Sequence, residues 1–218
     1  MRDTYTHKGL RAKLVTTLRH KGITDERILR AFMYIPRHLF LDNAFANWAY
    51  KDVAFPIDSD QTISQPYTVA FQTSLLELKG NERVLEIGTG SGFQACVLSY
   101  LGVKVYTIER QEALYNKTSE LLQNLGFGKI RTLLGDGYRG SERFAAFDRI
   151  LVTCGAPHIP QDLLDQLTIG GMLVIPLGEG EAQRMIRVTK VEEHHYQKED
   201  FGEFKFVPFL EGVNRVGV

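Results

Sequence analysis

Residues 84–92 read Val84-Leu85-Glu86-Ile87-Gly88-Thr89-Gly90-Ser91-Gly92. A short apolar run enters three glycines at alternate positions, and Phe93-Gln94-Ala95-Cys96-Val97-Leu98 follows as the start of a helix. Glycines allow a tight turn and let backbone come close to a ligand. A helix that begins there turns its unpaired N–H groups toward the turn. The stretch therefore predicts a buried strand, a ligand-cradling turn and a helix. An ordinary strand–helix turn would account for one or two glycines, but less well for three. The spacing is G-x-G-x-G, whereas dinucleotide turns have G-x-G-x-x-G. That difference counts against a nicotinamide-dependent oxidoreductase.

Downstream, short apolar runs alternate with amphipathic stretches. The runs are Val103 to Ile108, Ile130 to Leu134, Arg149 to Val152 and Met172 to Ile175. Between them, Gln111 to Leu125 carries Leu114, Leu121, Leu122 and Leu125 and stops at Gly126, a C-cap residue. Pro160 to Leu167 opens with proline in a first helical turn and ends before Gly170-Gly171. Such alternation predicts an α/β fold, a doubly wound, mostly parallel sheet with helices on both faces. After it, Met185 to Val191 and Glu203 to Phe209 read as two strands joined by the polar loop His194 to Lys198. The loop is too short for a crossover, so the pair should be antiparallel.

Three carboxylates stand near the glycine turn in this scheme. Glu109 ends the strand after the turn, 109 − 88 = 21 positions beyond Gly88, where it can accept hydrogen bonds from two ribose hydroxyls. Asp136 lies in Gly135-Asp136-Gly137, just past the following strand. A turn aspartate is one reading of it. Glu86 sits inside the first strand, where a carboxylate is costly without partners. It could cap the turn or meet a cationic ligand group. The G-x-G-x-G spacing, with Glu109 and Asp136 behind it, resembles the S-adenosylmethionine site of class I (Rossmann-like) methyltransferases. In that site the loop cradles the amino-acid part and the ribose, and a carboxylate in the place of Asp136 accepts from the adenine amino group.

Upstream of residue 81 the pattern is helical. Leu10, Leu14 and Leu18 recur at helical spacing, as do Ile28, Leu29 and Phe32 after Thr24-Asp25-Glu26. An aromatic-rich irregular stretch runs from Phe40 to Phe55, and Thr68 to Leu78 is helical again. Residues 1–80 thus read as a helical N-terminal extension and 81–218 as a Rossmann-like core with a C-terminal strand pair. Between the two patterns lies the polar loop Gln61-Thr62-Ile63-Ser64-Gln65-Pro66-Tyr67. Taken alone, it is a helix-capping loop with two hydroxyls.

That loop carries a more specific resemblance. T-I-S-Q-P-Y at 62–67 is similar to the protein-L-isoaspartate O-methyltransferase family. So are V-L-E-I-G-T-G-S-G at 84–92, G-D-G at 135–137, A-P at 156–157, P-Q-D-L-L-D-Q-L at 160–167 with G-G at 170–171, and F-V-P-F at 206–209. Together they cover roughly residues 8 to 212. The resemblance implies methyl transfer from S-adenosylmethionine to the free α-carboxylate of isoaspartyl residues in damaged proteins, leaving S-adenosylhomocysteine. Ser64 would be the catalytic residue, with Thr62 and Ile63 lining the cleft and Val207 and Pro208 shaping the peptide groove. Glu109, Asp136 and Gly137 would bind the cofactor beside Glu86, Gly88, Gly90 and Gly92. The chain departs from the family at Asp60, where Gly or Ala is usual nearby, and at Thr153-Cys154-Gly155, which replaces small alanines.

The 218 residues suit one α/β unit with a small addition. Lys and Arg total 26, and Asp and Glu also total 26. A zero net charge disfavours a nucleic-acid substrate, because phosphate binding draws on a basic surplus. Neither an N-P-P-Y motif nor a Pro-Cys nucleophile is present, so methylation of RNA or of a small molecule ranks second. Cys96 and Cys154 lie in apolar segments and read as reduced core thiols. No signal-like run opens the chain and no ~20-residue apolar segment occurs. A cytoplasmic monomer without metal or membrane partner is expected, and His194-His195 should face solvent. An acceptor carboxylate, of pKa about 4, is already ionised at neutral pH and requires no strong base.

Overall fold

The computed structural model describes residues 3–215. Two helices open the chain, α1 (Tyr5–His20) and α2 (Glu26–Tyr34). Thr4 caps α1 by accepting from the His7 N–H, and Asp25 caps α2 by accepting from Arg27. Two 3-10 turns, Arg37–Phe40 and Asn43–Trp48, cover the aromatic-rich stretch. A small hairpin of β1 (Phe55–Pro56) and β2 (Thr62–Ile63) follows, then α3 (Pro66–Leu75), with proline at its first position. Thr62 and Ile63, read from sequence as loop, are thus paired backbone.

The sheet contains β3 (Arg83–Ile87), β4 (Lys104–Glu109), β5 (Arg131–Leu134), β6 (Phe147–Val152), β7 (Leu167–Leu177), β8 (Gln183–Glu192) and β9 (His195–Phe204). Their order is β5-β4-β3-β6-β7-β8-β9. The first five are parallel to their neighbours, and β8 and β9 are antiparallel additions at one edge. The crossovers carry α4 (Phe93–Tyr100), α5 (Glu112–Asn124) and α6 (Gln161–Asp165). The α/β, doubly wound, mostly parallel sheet expected from the alternation is present.

Side chains of successive strand residues leave opposite faces of a sheet. Val84 therefore joins one apolar cluster with Leu14, Leu18, Phe32 and Phe93, while Leu85 and Ile87 join another with Ile150, Leu163 and Leu173. The first cluster extends without a break from α1 and α2 onto the sheet, so the N-terminal helices are packed on the core through apolar contact. Phe93 is its pivot, meeting Phe32 and Phe40 edge-on at 5.5 and 5.4 Å.

Two strands differ from the sequence reading. The last strand is His195–Phe204, not Glu203 to Phe209, and the expected loop is reduced to a tight turn in which His194 has φ +62°. As an outermost strand, β9 is mostly polar, with Tyr196, Phe201 and Phe204 packed against the apolar clusters, and it lacks the regular alternation that marks a half-buried strand. The apolar residues 206–209 are loop, with one bridge from Pro208 to Gly155. Strand β7 begins at Leu167 and runs through Gly170-Gly171, which read from sequence as a break.

Candidate active site

From β3 the chain winds outward through β4 to β5, then returns to lay β6 on the opposite side of β3. The connections that leave the carboxyl ends of β3 and β6 therefore set off in opposite directions along the sheet, and such a switch point opens a crevice. A cavity of about 780 Å³ occupies it.

Its floor is the glycine turn. Gly88 and Thr89 donate their N–H groups to the Ile108 carbonyl at 2.9 and 3.2 Å, and Thr153 donates its hydroxyl to the carbonyls of Ile87 and Gly88, both at 2.9 Å. A Cβ on Gly88 would lie 2.6 Å from that hydroxyl, and the residue has φ +93°. Only glycine fits there, so bare backbone faces the cavity. Gly92, also at positive φ, is different. It caps α4 and packs against Thr118 and Leu122 of α5, outside the cavity wall.

Glu109 binds this turn from the neighbouring strand. Its Oε2 accepts from the Gly90 N–H and its Oε1 from the Gln111 N–H, both at 2.9 Å. Each carboxylate oxygen keeps a lone pair, and Glu109 lines the cavity. Gly137 does too, with its Cα close against Ile87 and Phe209. Asp136 stands just behind the wall, with Oδ1 accepting from the Tyr138 N–H at 2.9 Å and Oδ2 from the Gly212 N–H at 2.8 Å.

Glu86 is fully buried beneath the turn and does not reach the cavity. Neither of its oxygens has a hydrogen-bond partner among the described residues. Burial pushes its carboxyl up to about 8, with the nearby Thr107 hydroxyl easing the rise and the Glu109 charge adding to it. Cys154 lines the cavity but stays a thiol, because burial pushes its pKa far up.

Thr62, Ile63 and Ser64 form the opposite wall. Their backbone is clamped from two sides. Arg37 donates from Nη2 to the Ser64 carbonyl at 3.0 Å and from Nε to the Ala49 carbonyl at 2.9 Å. Asp52 accepts from the Tyr67 N–H at 2.8 Å and from Gln65 Nε2 at 3.2 Å. The Ser64 hydroxyl takes no partner among the described residues. Val207 and Pro208 make the third wall, fixed by the Gly155 N–H donating to the Val207 carbonyl and the Phe209 N–H to that of Gly155, both at 2.8 Å.

The sequence reading missed Arg37, Asp52 and Thr153 as builders of the cavity. A charged residue amid the apolar run Pro36-Arg37-His38-Leu39-Phe40 was the available signal for the first. Asp3, His7 and His38 form the one group of potential metal ligands among the described residues. The Asp3 carboxylate is held by both Nη atoms of Arg11, and His7 Nδ1 accepts from the Thr4 N–H.

A glycine-floored crevice at the switch point, with a lone-pair-bearing carboxylate at its rim, fits an adenosine cofactor whose amino-acid end needs close backbone approach. The fold and this site define a class I S-adenosylmethionine-dependent methyltransferase. The protein-L-isoaspartate(D-aspartate) O-methyltransferase family matches residues 9–214, and the chain belongs to that family. It is 56% identical to the protein-L-isoaspartate O-methyltransferase of Flavobacterium johnsoniae over 98% of this chain and 100% of the other. The Christiangramia forsetii enzyme is 54% identical with the same coverage, and that of Dictyoglomus thermophilum 44% over 94% and 93%. A solved protein-L-isoaspartate O-methyltransferase superposes with TM-score 0.83 and 28% identity, covering 91% of this chain and 65% of that one. A Plasmodium falciparum β-aspartate methyltransferase, in complex with S-adenosylhomocysteine, shares the fold with TM-score 0.79 at 24% identity over 94% and 98%. The chain is thus an S-adenosylmethionine-dependent protein carboxyl methyltransferase acting on isoaspartyl residues. No helix among the described residues is long and apolar enough to cross a membrane.

Proposed function

We propose that the cleft methylates the free α-carboxylate of an isoaspartyl residue with Ser64 orienting the acceptor and the glycine turn holding the donor. The observation that carries this division is that Thr62–Ser64, the glycine turn with Glu109, and Val207–Pro208 face one another across a single cavity. On this reading, residues to 80 supply the acceptor wall and residues from 81 the donor floor.

The cofactor supplies an electrophilic methyl group on a sulfonium. Glu109 accepts from the ribose hydroxyls with its remaining lone pairs, while its two backbone contacts keep it in place. Gly88 and Gly90 offer close backbone approach. Gly137 presents its backbone to the adenine end, with Asp136 accepting there through a lone pair that its two N–H donors leave free. Glu86 acts from below, as a support of the turn. Gly92 serves by letting α5 pack on α4.

The acceptor carboxylate arrives ionised, so the residues need only orient and dry it. The Ser64 hydroxyl donates to one carboxylate oxygen and aims the other along the methyl–sulfur axis. Thr62 and Ile63 flank it. Ile63, Val69, Phe93 and Phe209 keep the cleft apolar, where opposite charges that neutralise in the transition state are poorly served by water. Val207 and Pro208 border the peptide groove. The resulting ester is a better leaving group than the carboxylate. Attack by the next backbone nitrogen on the ester carbonyl breaks the C–OCH3 bond, releases methanol and gives a succinimide, whose hydrolysis returns some normal aspartyl linkage. We further propose that the protein acts as a cytoplasmic monomer on damaged proteins, without nucleic acid or membrane.

The test is methylation of an isoaspartyl peptide and of its aspartyl twin with labelled cofactor. The two carboxylates differ in reach by one methylene, and ~1 Å of misplacement costs about a hundredfold in rate. Strong labelling of the first peptide and almost none of the second is expected. Equal labelling would reject the acceptor assignment.

A further inference from the structure

Arg37 is one of the largest fully buried side chains in the protein, and its 3-10 turn contributes nothing to the cavity wall. A guanidinium in such a place is costly unless it is well partnered. Among the described residues no carboxylate touches it. Its contacts are the Ala49 and Ser64 carbonyls, the face of Phe93 with Cζ 5.0 Å from the ring centre, and nothing at Nη1. Burial pushes its pKa down to about 9, which the nearby Asp52 and Tyr50 partly offset, so it remains a cation at neutral pH.

The two carbonyls lie fifteen positions apart in the chain, on either side of the β1–β2 hairpin. Fixed donors in one planar fork hold both ends of that excursion at a set separation. Phe93, the first residue of α4 after the glycine turn, fixes the fork from its face. The guanidinium is therefore wedged between the segment that carries Ser64 and the helix that begins at the donor floor.

We propose that Arg37 is a positioning residue for methyl transfer, setting the Ser64 backbone relative to the glycine turn. This rests on the reading of Ser64 as the residue that orients the acceptor. Lysine cannot replace it, since one ammonium does not reproduce the two-carbonyl fork. The charge and the bulk survive in Arg37→Lys, whereas the geometry does not.

The experiment is a cycle of Arg37→Lys, Ser64→Ala and the double variant, with Arg37→Gln alongside. Steady-state kinetics on an isoaspartyl peptide and the affinity for S-adenosylhomocysteine are measured for each. Arg37→Lys is expected to lower kcat/KM at least about tenfold, as misplacement of a reacting group does. Its S-adenosylhomocysteine affinity should stay within about twofold of wild type, and in the Ser64→Ala background it should add less than about twofold, the signature of residues acting through one contact. Wild-type kinetics in Arg37→Lys would overturn the proposal. So would an undiminished effect in the Ser64→Ala background, which leaves the Ser64 assignment standing. Full activity of Ser64→Ala would instead remove that assignment, and this proposal with it. If both Arg37 variants lose cofactor affinity by more than about tenfold, Arg37 serves folding and the positioning role is rejected.

Discussion

Gly212 donates its N–H to Oδ2 of Asp136 at 2.8 Å, tying the end of the chain to the loop after β5. The same tail is held from just beyond β4, where the Arg110 guanidinium donates to the Glu211 and Gly212 carbonyls and the Asn214 N–H donates to the Arg110 carbonyl. The loop proposed above to hold the adenine is thus bordered by a segment more than seventy residues away in sequence, and Asp136 is the residue that joins them.

Asp136→Ala is expected to act twice. Loss of a charge-assisted acceptor should weaken S-adenosylhomocysteine binding by ~1.5–3 kcal/mol. Release of Gly212 should also make the tail more open to protease. Calorimetry and limited proteolysis of the same sample check both, and unchanged affinity would move the adenine away from this loop.

Glu109→Ala removes the side chain that holds the Gly90 N–H from β4. Cofactor affinity should fall by ~1.5–3 kcal/mol, while kcat at saturating cofactor changes much less. Titration calorimetry with kinetics at several cofactor concentrations separates the two.

Ser64→Ala should reduce the rate on an isoaspartyl peptide at least about tenfold, because the acceptor loses its orienting donor. S-adenosylhomocysteine affinity should be nearly unchanged. A proportional loss of both would show that the hydroxyl supports the fold of the cleft instead.

The hairpin tip offers a stability test. Ser59 and Asp60 have φ of +59° and +55°, in the left-handed region that favours glycine. Asp60→Gly should raise stability by ~0.5–1 kcal/mol. In a chain of this size that is ~1–4 °C in Tm, measured by thermal unfolding. A lower Tm would mean that the Asp60 side chain contributes more than its backbone costs.

Glu86 predicts a pH dependence. Its folded pKa, about 8, lies above the ordinary 4.5, so the folded protein holds this proton more tightly than the unfolded chain. The associated stability is complete below about pH 4.5 and is lost as pH rises through 8. Glu86→Gln cannot ionise. Without cofactor, its Tm relative to wild type should climb from pH 4.5 to 8 and level off beyond. A difference that is flat with pH would show that Glu86 is ionised when folded.

The parallel sheet was legible because Val84–Ile87, Val103–Ile108 and Arg149–Val152 are buried on both faces and read as continuous apolar runs. Glycine spacing marked the floor of the site, and Glu109 followed from its place at the end of the next strand. Gly92 looked like a third cradle glycine, but its φ and its contact with Thr118 belong to helix packing, which spacing does not distinguish. Asp136 and Gly212, like Arg37 and Ser64, are joined across long stretches of sequence, and one sequence holds no record of such pairs. β9 stayed hidden because pairing through backbone needs no side-chain pattern.

That polar edge strand has a bearing on the company this enzyme keeps. Aged proteins present loosened backbone in search of partners, and an unguarded sheet edge would invite them to add a strand. Along β9, Lys198, Glu199 and Asp200 stand in succession, and its pairing with β8 is broken by two register shifts. Consecutive charges and bulges make an edge a poor template for further strands. That edge of the sheet is therefore a poor place for an unravelling client to add a strand.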